Sequence, residues 1–272
     1  MIELVGKIGS MALVDSVHHD IDYNKFARLS AQLRPGMIWV SSGATEIGRL
    51  DYIRRSGAEL DGSPDEVKMD YASQGQTILM QTYRNFIDAK YSVRQVLVEH
   101  AHFNDSDKRE SIRRMLMRAP SQNAIPIINY NDAVSFEENR KMEIRKLRGE
   151  KSAVVELVDN DETAAQIACL VGAKTLLIFS TLSGIYEDVR RPETLISEIS
   201  APTAAEVLDK IENAKKLCEG ASRAGANGAK AKLEYVKPCL SRGVRVIIAS
   251  AEYDIADVLS GKAPATRIYV KE

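Results

Sequence analysis

The residues of this sequence that could do chemistry stand in short polar segments, each following a run of apolar residues. In Lys7-Ile8-Gly9-Ser10, a lysine lies beside glycines, whose backbone amides can approach an anion closely. In Ser41–Thr45, small residues follow a second apolar run and begin a helical pattern. Helix N-termini of this kind bind carboxylates and phosphates, although Ser42 also suits an ordinary helix cap.

Three further segments carry amide, carboxylate or lysine side chains. They are Asn129–Asp132, Asp159–Thr163 and the glycine-rich Gly225–Lys232, which runs into a helical pattern. Their ordinary structural interpretations are an Asx turn, a helix cap and a flexible loop. Lysines in the first turns of a helix are unfavourable unless an anion lies beside them, which favours an anion site at the third segment.

Alternating strands and helices must position these segments. Continuous β-branched and apolar runs predict strands buried on both faces, and long amphipathic runs predict helices. This alternation indicates an α/β fold with a mostly parallel sheet, in which ligands collect at the carboxyl ends of the strands. The predicted strands are Ile2–Ile8, Met37–Ser41, Val93–Val98, Ile125–Asn129, Thr175–Phe179, Val244–Ala249 and Ile268–Val270, and the predicted helices are Tyr23–Leu33, Asp65–Lys90, Asp105–Arg118, Thr163–Val171, Thr203–Leu217 and Lys230–Arg242.

Two other segments are interpreted as ordinary surface structure without a functional role. Phe136–Lys151 is dense in Glu, Lys and Arg and is expected to be a surface excursion, either a loop, a short solvated helix or a hairpin; a lid or an oligomer contact is the alternative. His100 and His102 are interpreted as surface or loop histidines, because no further metal ligands are evident near them.

The composition excludes several classes of protein. The 272 residues carry a net charge of −1, which gives no electrostatic reason to expect nucleic acid or a membrane surface as a partner. No apolar run approaches the roughly 20 residues that span a bilayer, and the N-terminus lacks the layout of a signal peptide. Three widely spaced cysteines are expected to be reduced thiols, so a cytoplasmic location is expected.

Taken in order, the polar segments resemble motifs of the amino-acid kinase family, most closely those of its glutamate 5-kinases. The resemblance implies a three-layer αβα sandwich with a mostly parallel central sheet, as in carbamate kinase-like folds. It implies one domain over residues 1–272, with an acceptor half of about 1–165 and an ATP half of about 166–272. The motifs are Lys7–Ser10, Ser41–Ala44, Gln74–Met80, Asn129–Val134, Asp159–Asp161, Ser183–Tyr186 and Gly225–Lys232.

The resemblance also implies an activity, the ATP-dependent phosphorylation of the γ-carboxylate of L-glutamate in proline biosynthesis. Lys7 and Lys232 would neutralise the transferring phosphoryl group, and Asp161 would hold the two lysines in place. Mg²⁺ would bind through ATP phosphates and water, without protein ligands. The enzyme is expected to be a homo-oligomer without the C-terminal PUA domain that many members carry.

Further residue roles are carried over from the same motifs. The substrate-binding residues would be Ser42, Gly43, Ala44, Asp132 and Asn160. The ATP-binding residues would be Lys7, Gly9, Ser10, Ser180, Thr181, Tyr186, Gly225, Asn227, Gly228 and Lys232.

The sequence departs from the family pattern on both sides of the expected site. Ser180-Thr181 stands where a Thr-Asp pair is usual, Tyr130 replaces an acidic residue, and Val158 replaces a glycine. The Phe136–Lys151 segment lengthens the spacing between two motifs. These departures leave two alternatives open: a kinase of this fold with another amino-acid, carbamate or phosphonate acceptor, and a non-catalytic nucleotide-binding sensor.

Overall fold

The computed structural model describes residues 1–135, 137–150, 154–157, 159–217 and 228–271. The strands are β1 (Leu4–Ile8), β2 (Val14–Asp15), β3 (Asp20–Ile21), β4 (Met37–Ser41), β5 (Ser92–Val98), β6 (Ala124–Tyr130), β7 (Thr175–Ser180), β8 (Glu198–Ala201), β9 (Arg245–Ser250) and β10 (Ala265–Val270). The α-helices are α1 (Tyr23–Ser30), α2 (Ala44–Ser56), α3 (Pro64–Phe86), α4 (His100–Asn104), α5 (Ser106–Arg118), α6 (Glu137–Glu150), α7 (Asn160–Val171), α8 (Ala204–Leu217), α9 (Ala229–Leu240) and α10 (Ile255–Ser260).

Within the described residues, one eight-stranded sheet has the order β5-β6-β4-β1-β7-β9-β10-β8. Its neighbours pair in parallel, except that β10 runs antiparallel to β9. Strand β1 lies at the centre, with β4 on one side and β7 on the other. The carboxyl ends of β1, β4, β6 and β7 therefore lie along one edge of the sheet, where the fold predicts a ligand site.

Helices cover both faces of the sheet. Alternate residues of a strand point to opposite faces, so Val5 belongs to one apolar cluster and Leu4 to the other. The Val5 cluster contains buried residues of α5, α7, α8 and α9, and the Leu4 cluster contains buried residues of α1, α2, α3 and α10. The predicted three-layer αβα sandwich with a mostly parallel sheet is confirmed.

Helices α2 and α3 meet with unusually close backbones. A Cβ atom on Gly75 would lie 1.8 Å from the carbonyl oxygen of Ala44, and one on Gly48 would lie 1.8 Å from that of Tyr71. Only glycine fits at these two positions, because any side chain would push the helices apart. The contact fixes the beginning of α2, and hence the segment after β4, against the middle of α3.

Each strand and helix predicted from the sequence is present, with boundaries that shift by a few residues. The sequence reasoning missed β2, β3, β8, α4 and α10, and it misassigned the cap of α2. Gly43, with a φ of 110°, is the N-cap residue rather than Ser42. Because this left-handed backbone favours glycine, Ser42 is left outside the helix and free for other contacts.

The predictions for the histidine segment and for the charged segment also need correction or refinement. The interpretation of His100 as a surface residue is wrong: it is buried in α4, and its Nε2 lies 2.7 Å from Oε2 of Glu143. Glu143 belongs to α6, so the charged segment is a helix over Glu137–Glu150, one of the expected alternatives. Phe136 and Lys151, at the ends of that segment, lie outside the described residues.

No helix in the described ranges combines the length and apolar character that a membrane span requires.

Candidate active site

A buried cluster of opposite charges lies at the carboxyl edge of the sheet. Nζ of Lys7, on β1, lies 2.7 Å from Oδ1 of Asp161 at the start of α7. Nζ of Lys232, in the first turn of α9, lies 2.8 Å from Oδ2 of the same carboxylate. Asp161 is 3% exposed, so one buried carboxylate holds two lysines.

The strand alternation explains how Lys7 reaches this cluster. Lys7 is two residues after Val5, so its side chain leaves β1 on the face that α7 and α9 cover. Helix α7 ends just before β7 and runs back across the sheet, which brings its N-terminus to the carboxyl edge of the strands. Asp159 caps that N-terminus, since its Oδ1 accepts from the amides of Asp161 and Glu162 at 2.8 and 3.0 Å.

The charge state of Asp161 follows from opposing effects. Burial raises its pKa, but the adjacent ammonium groups of Lys7 and Lys232 outweigh burial and hold the pKa below its ordinary value of 3.8. The carboxylate is therefore ionised at neutral pH. Each ammonium group has three N–H donors and lies against a single oxygen of Asp161, which leaves donor capacity on both lysines for an anion.

Two cavities meet beside this cluster. One, of about 350 Å³, is lined by all five residues that the motifs predict to bind substrate. The other, of about 760 Å³, is lined by Lys7, Asp161 and Lys232 and by the end of β7. Both are lined by Ser10, Ser42, Asp159 and Asn160, so ligands in the two cavities would meet at these residues.

A chain of side-chain amides orders the wall between the cavities. Nδ2 of Asn160 donates to Oγ of Ser42 at 3.0 Å and to Oδ1 of Asn129 at 2.9 Å. Asn129 in turn donates to Oε1 of Gln76 at 2.8 Å, and Oδ1 of Asn160 accepts from the backbone amide of Tyr130 at 3.2 Å. Both amide hydrogens of Asn160 are thus used, whereas Ser42 accepts one bond and keeps its own hydroxyl hydrogen for a ligand.

The N-terminus of α2 also faces the smaller cavity. Ala44, Thr45 and Glu46 line that cavity, and Gly43 contributes no side-chain cap to their backbone amides. Uncapped amides in the first turn of a helix bind carboxylates and phosphates well. On the opposite side, Asp132 lines the cavity and forms an ion pair of 2.9 Å with Lys68.

The predicted ATP-binding residues fall into three groups. Lys7, Gly9, Ser10, Ser180, Thr181 and Lys232 line the larger cavity. Gly228 caps α9, and Tyr186 pairs with Leu195 in an isolated bridge; neither lines that cavity as the described residues form it. Gly225 and Asn227 lie outside the described residues, as does Val158.

Sequence reasoning missed two cations that line the smaller cavity, Lys68 and Arg140. A signal for Lys68 was available: it stands eight residues before Gln76, and so occupies the same face of α3. Arg140 is in α6, whose high proportion of charged residues led to the prediction of a solvated surface segment. The signal there is Ile144, an apolar residue four positions later, which is buried.

The sequence matches the model of the amino acid kinase family over residues 3–250. It is 30% identical to glutamate 5-kinase 1 of Bacillus subtilis (strain 168) over 282 residues, covering 99% of this chain and 69% of that protein. It is 29% identical to glutamate 5-kinase 2 of the same organism, covering 95% of this chain and 64% of that protein. The chain therefore spans about two thirds of the length of these relatives.

Solved structures of the same fold include the carbamate kinase from Giardia lamblia bound to AMP-PNP, with a TM-score of 0.60 and 15% identity over 99% of this chain and 98% of that chain. The UMP kinase from Ureaplasma parvum has a TM-score of 0.54 and 12% identity, with 99% and 98% covered. The fold shared with these structures is a three-layer αβα sandwich. The chain belongs to the amino acid kinase family.

Proposed function

We propose that this protein transfers the γ-phosphoryl group of ATP to the γ-carboxylate of L-glutamate, a cytoplasmic step of proline biosynthesis. The observation that carries the proposal is the buried Asp161 between Lys7 and Lys232, at the point where the two cavities meet. The similarity to the two glutamate 5-kinases of Bacillus subtilis supports glutamate as the acceptor.

The proposed reaction needs no general base, because the acceptor carboxylate is already ionised at neutral pH. One of its oxygens attacks the γ-phosphorus, the bond from that phosphorus to the bridging oxygen breaks, and the electron pair leaves with ADP. The products are an acyl phosphate and ADP. Catalysis then rests on alignment and on charge neutralisation by the free donors of Lys7 and Lys232.

The residues present suit a nucleoside triphosphate with Mg²⁺. Lysines beside a cavity of about 760 Å³ offer counter-charge to phosphates. No group of three or more His, Cys, Asp or Glu side chains suited to a metal ion occurs among the residues that the structure describes. Mg²⁺ held by phosphate oxygens and water, as it commonly is, would supply further charge neutralisation.

The cavities support a division of labour within the domain. We assign the acceptor to the half of about residues 1–165, which supplies the smaller cavity, and ATP to the half of about residues 166–272. The larger cavity is shared between the halves: most of its described lining, Lys7 and Gly9 included, comes from the first half, and the second half supplies the end of β7 and Lys232.

The test is trapping of the acyl phosphate as a hydroxamate, with ADP release measured in parallel, from L-glutamate and Mg-ATP. Lys7→Met and Lys232→Met should each lower kcat by roughly 100- to 1,000-fold, the cost of removing one stabilising donor of a transition state. Lys262→Met, at an exposed lysine far along the chain, is the matched control and should leave kcat unchanged.

Other results would redirect the proposal. ADP release that depends on another carboxylate, a carbamate or a phosphonate, and not on glutamate, would favour a different acceptor. The position of Tyr130 in the smaller cavity, where the family motif has an acidic residue, motivates that candidate. ATP binding without turnover on any acceptor would identify a sensor. Full activity of Lys7→Met would contradict the assigned role of the lysines.

A further inference from the structure

The guanidinium group of Arg140 has N–H donors that the described residues do not use. Arg140 is half-buried and lines the smaller cavity, and its Nη1 donates to the backbone carbonyl of Leu157 at 3.1 Å. Arginine has five N–H donors, and within the described ranges no carboxylate forms an ion pair with this one. A cation in a cavity wall with most of its donors available is suited to an anionic ligand.

The other charged side chains that line this cavity already have partners: Asp159 caps α7 by accepting from the amides of Asp161 and Glu162, and the remaining ones form ion pairs. Lys68 pairs with Asp132 at 2.9 Å, and Glu137 pairs with Lys141 at 2.6 Å. Glu46 accepts from Arg49 at 3.1 Å. Since these groups neutralise one another, Arg140 is the described cation on the cavity wall that lacks a carboxylate partner.

Helix α6 is anchored firmly enough to present Arg140 in a defined position. Ile144, one turn after Arg140 on the same face, is buried, and Glu143 pairs with the buried His100. Near the end of the helix, Arg148 forms an ion pair with Glu156. The apolar anchor fixes the rotation of α6, so the face that carries Ile144 inward also carries Arg140 toward the cavity.

The cavity therefore offers two anion-binding positions. One is at the uncapped N-terminus of α2 and Ser42, beside the lysine cluster, and the other is at Arg140. An acceptor with a single carboxylate would use only the first. We infer that Arg140 binds a second carboxylate of the acceptor, so that the substrate class is a dicarboxylate phosphorylated at the end remote from Arg140.

This inference rests on the proposed function and names a specificity-determining residue for it. For glutamate, the second carboxylate is the α-carboxylate, and Asp132 lies in the same cavity to receive the α-amino group. The residue comes from the segment that lengthens the spacing between two family motifs, so specificity would depend on an element that those motifs do not include.

The experiment compares L-glutamate with L-isoglutamine, which keeps the γ-carboxylate but has an amide in place of the α-carboxylate. Arg140→Met should raise the KM for glutamate by roughly 10- to 100-fold, the worth of a charge-assisted hydrogen-bonded pair. It should leave the KM for isoglutamine within about twofold, because that analogue has no second carboxylate to lose. Arg145→Met, an exposed arginine on the same helix, should change neither value.

A calorimetric titration with glutarate keeps this inference separate from the choice of glutamate. Glutarate is a dicarboxylate without an amino group, so its binding tests the second anion position even if glutamate is not turned over. Weaker glutarate binding by Arg140→Met, but not by Arg145→Met, supports the inference. Equal losses for glutamate and isoglutamine, or unchanged glutarate binding, would overturn it. Absence of glutamate turnover in the unmodified protein, with glutarate binding dependent on Arg140, would reject only the proposed acceptor.

Discussion

At the scale of single residues, Asp161 is the group on which most of the site depends. It is buried, ionised and shared between Lys7 and Lys232, which belong to different elements of the sandwich. Desolvation of a carboxylate is costly, and two close cations make it tolerable here. Removing the negative charge leaves two lysines near each other without compensation, so the consequences should reach both stability and activity.

We predict that Asp161→Asn lowers the free energy of unfolding at pH 7 by about 3–5 kcal/mol, as for a broken buried ion pair. The pKa of Asp161 is depressed in the folded state, so its stabilisation is complete above its unfolded pKa of about 3.9 and is lost as the pH falls toward the folded pKa. The difference in stability between the two proteins should therefore be constant from pH 7 to 5 and shrink below about pH 4. Urea unfolding at several pH values measures it.

The stability difference should shrink at low pH because a protonated Asp161 is uncharged, as asparagine is. A stability difference that stayed constant down to pH 3 would mean that the carboxylate does not stabilise the fold through its charge. Lowered stability at pH 7 should be accompanied by lowered kcat, because the lysines lose the group that orients them.

At the scale of elements, the contact between α2 and α3 sets the geometry of the smaller cavity. Gly48 and Gly75 allow the two helices to touch, and Gln76, next along α3, reaches Asn129 on β6. The same contact holds the beginning of α2, whose uncapped amides line the cavity. The glycine therefore has a packing role and the glutamine a positioning role, although they are adjacent in one sequence motif.

We predict that Gly75→Ala destabilises the protein by about 1–3 kcal/mol, the usual cost of overpacking, because its Cβ would lie 1.8 Å from the carbonyl oxygen of Ala44. It should also raise the KM for the acceptor more than that for ATP, since Gln76 and the start of α2 must move. Gly149→Ala is the matched control: nothing lies within 4 Å of a Cβ there, and alanine in α6 should stabilise by up to about 1 kcal/mol. Equal effects of the two substitutions would contradict the close contact.

At the scale of the whole molecule, the continuous sheet joins the two proposed halves. Strand β1 pairs with β4 in the proposed acceptor half and with β7 in the proposed nucleotide half, so both halves depend on the same central strand. Lys7 lies on that strand and pairs with Asp161, and Asp161 in turn pairs with Lys232 across the proposed boundary. Such coupling favours one cooperative unit.

We predict a single unfolding transition in urea. The sole tryptophan, Trp39, is buried in β4, so its fluorescence reports the acceptor half, whereas far-ultraviolet circular dichroism reports the whole chain. The two transitions should coincide. A Mg²⁺ complex of a non-hydrolysable ATP analogue at 100 times its Kd should shift both together, by about 2.7 kcal/mol. A fluorescence transition that differs from the circular dichroism transition, or that the nucleotide analogue does not shift, would show that the two halves unfold independently.

The sequence by itself determined the longer elements, the layer architecture and the short list of polar segments. Strand and helix periodicity depends on local burial patterns, and polar residues after apolar strands converge wherever a parallel sheet forms. The order of the motifs was also enough for the family, now shown by the match over residues 3–250. The cap of α2 was misassigned, because serine is a common N-cap and the left-handed φ of Gly43 depends on packing.

Only the tertiary structure decided which groups touch. The pairing of Asp161 with both lysines, the amide chain from Gln76 to Ser42, and the burial of His100 against Glu143 join residues far apart in sequence. Periodicity carries no information on such contacts. Helix α6 shows this most clearly. Its charged composition predicts an exposed helix, but the burial of Ile144 turns one face inward and brings Arg140 to the smaller cavity.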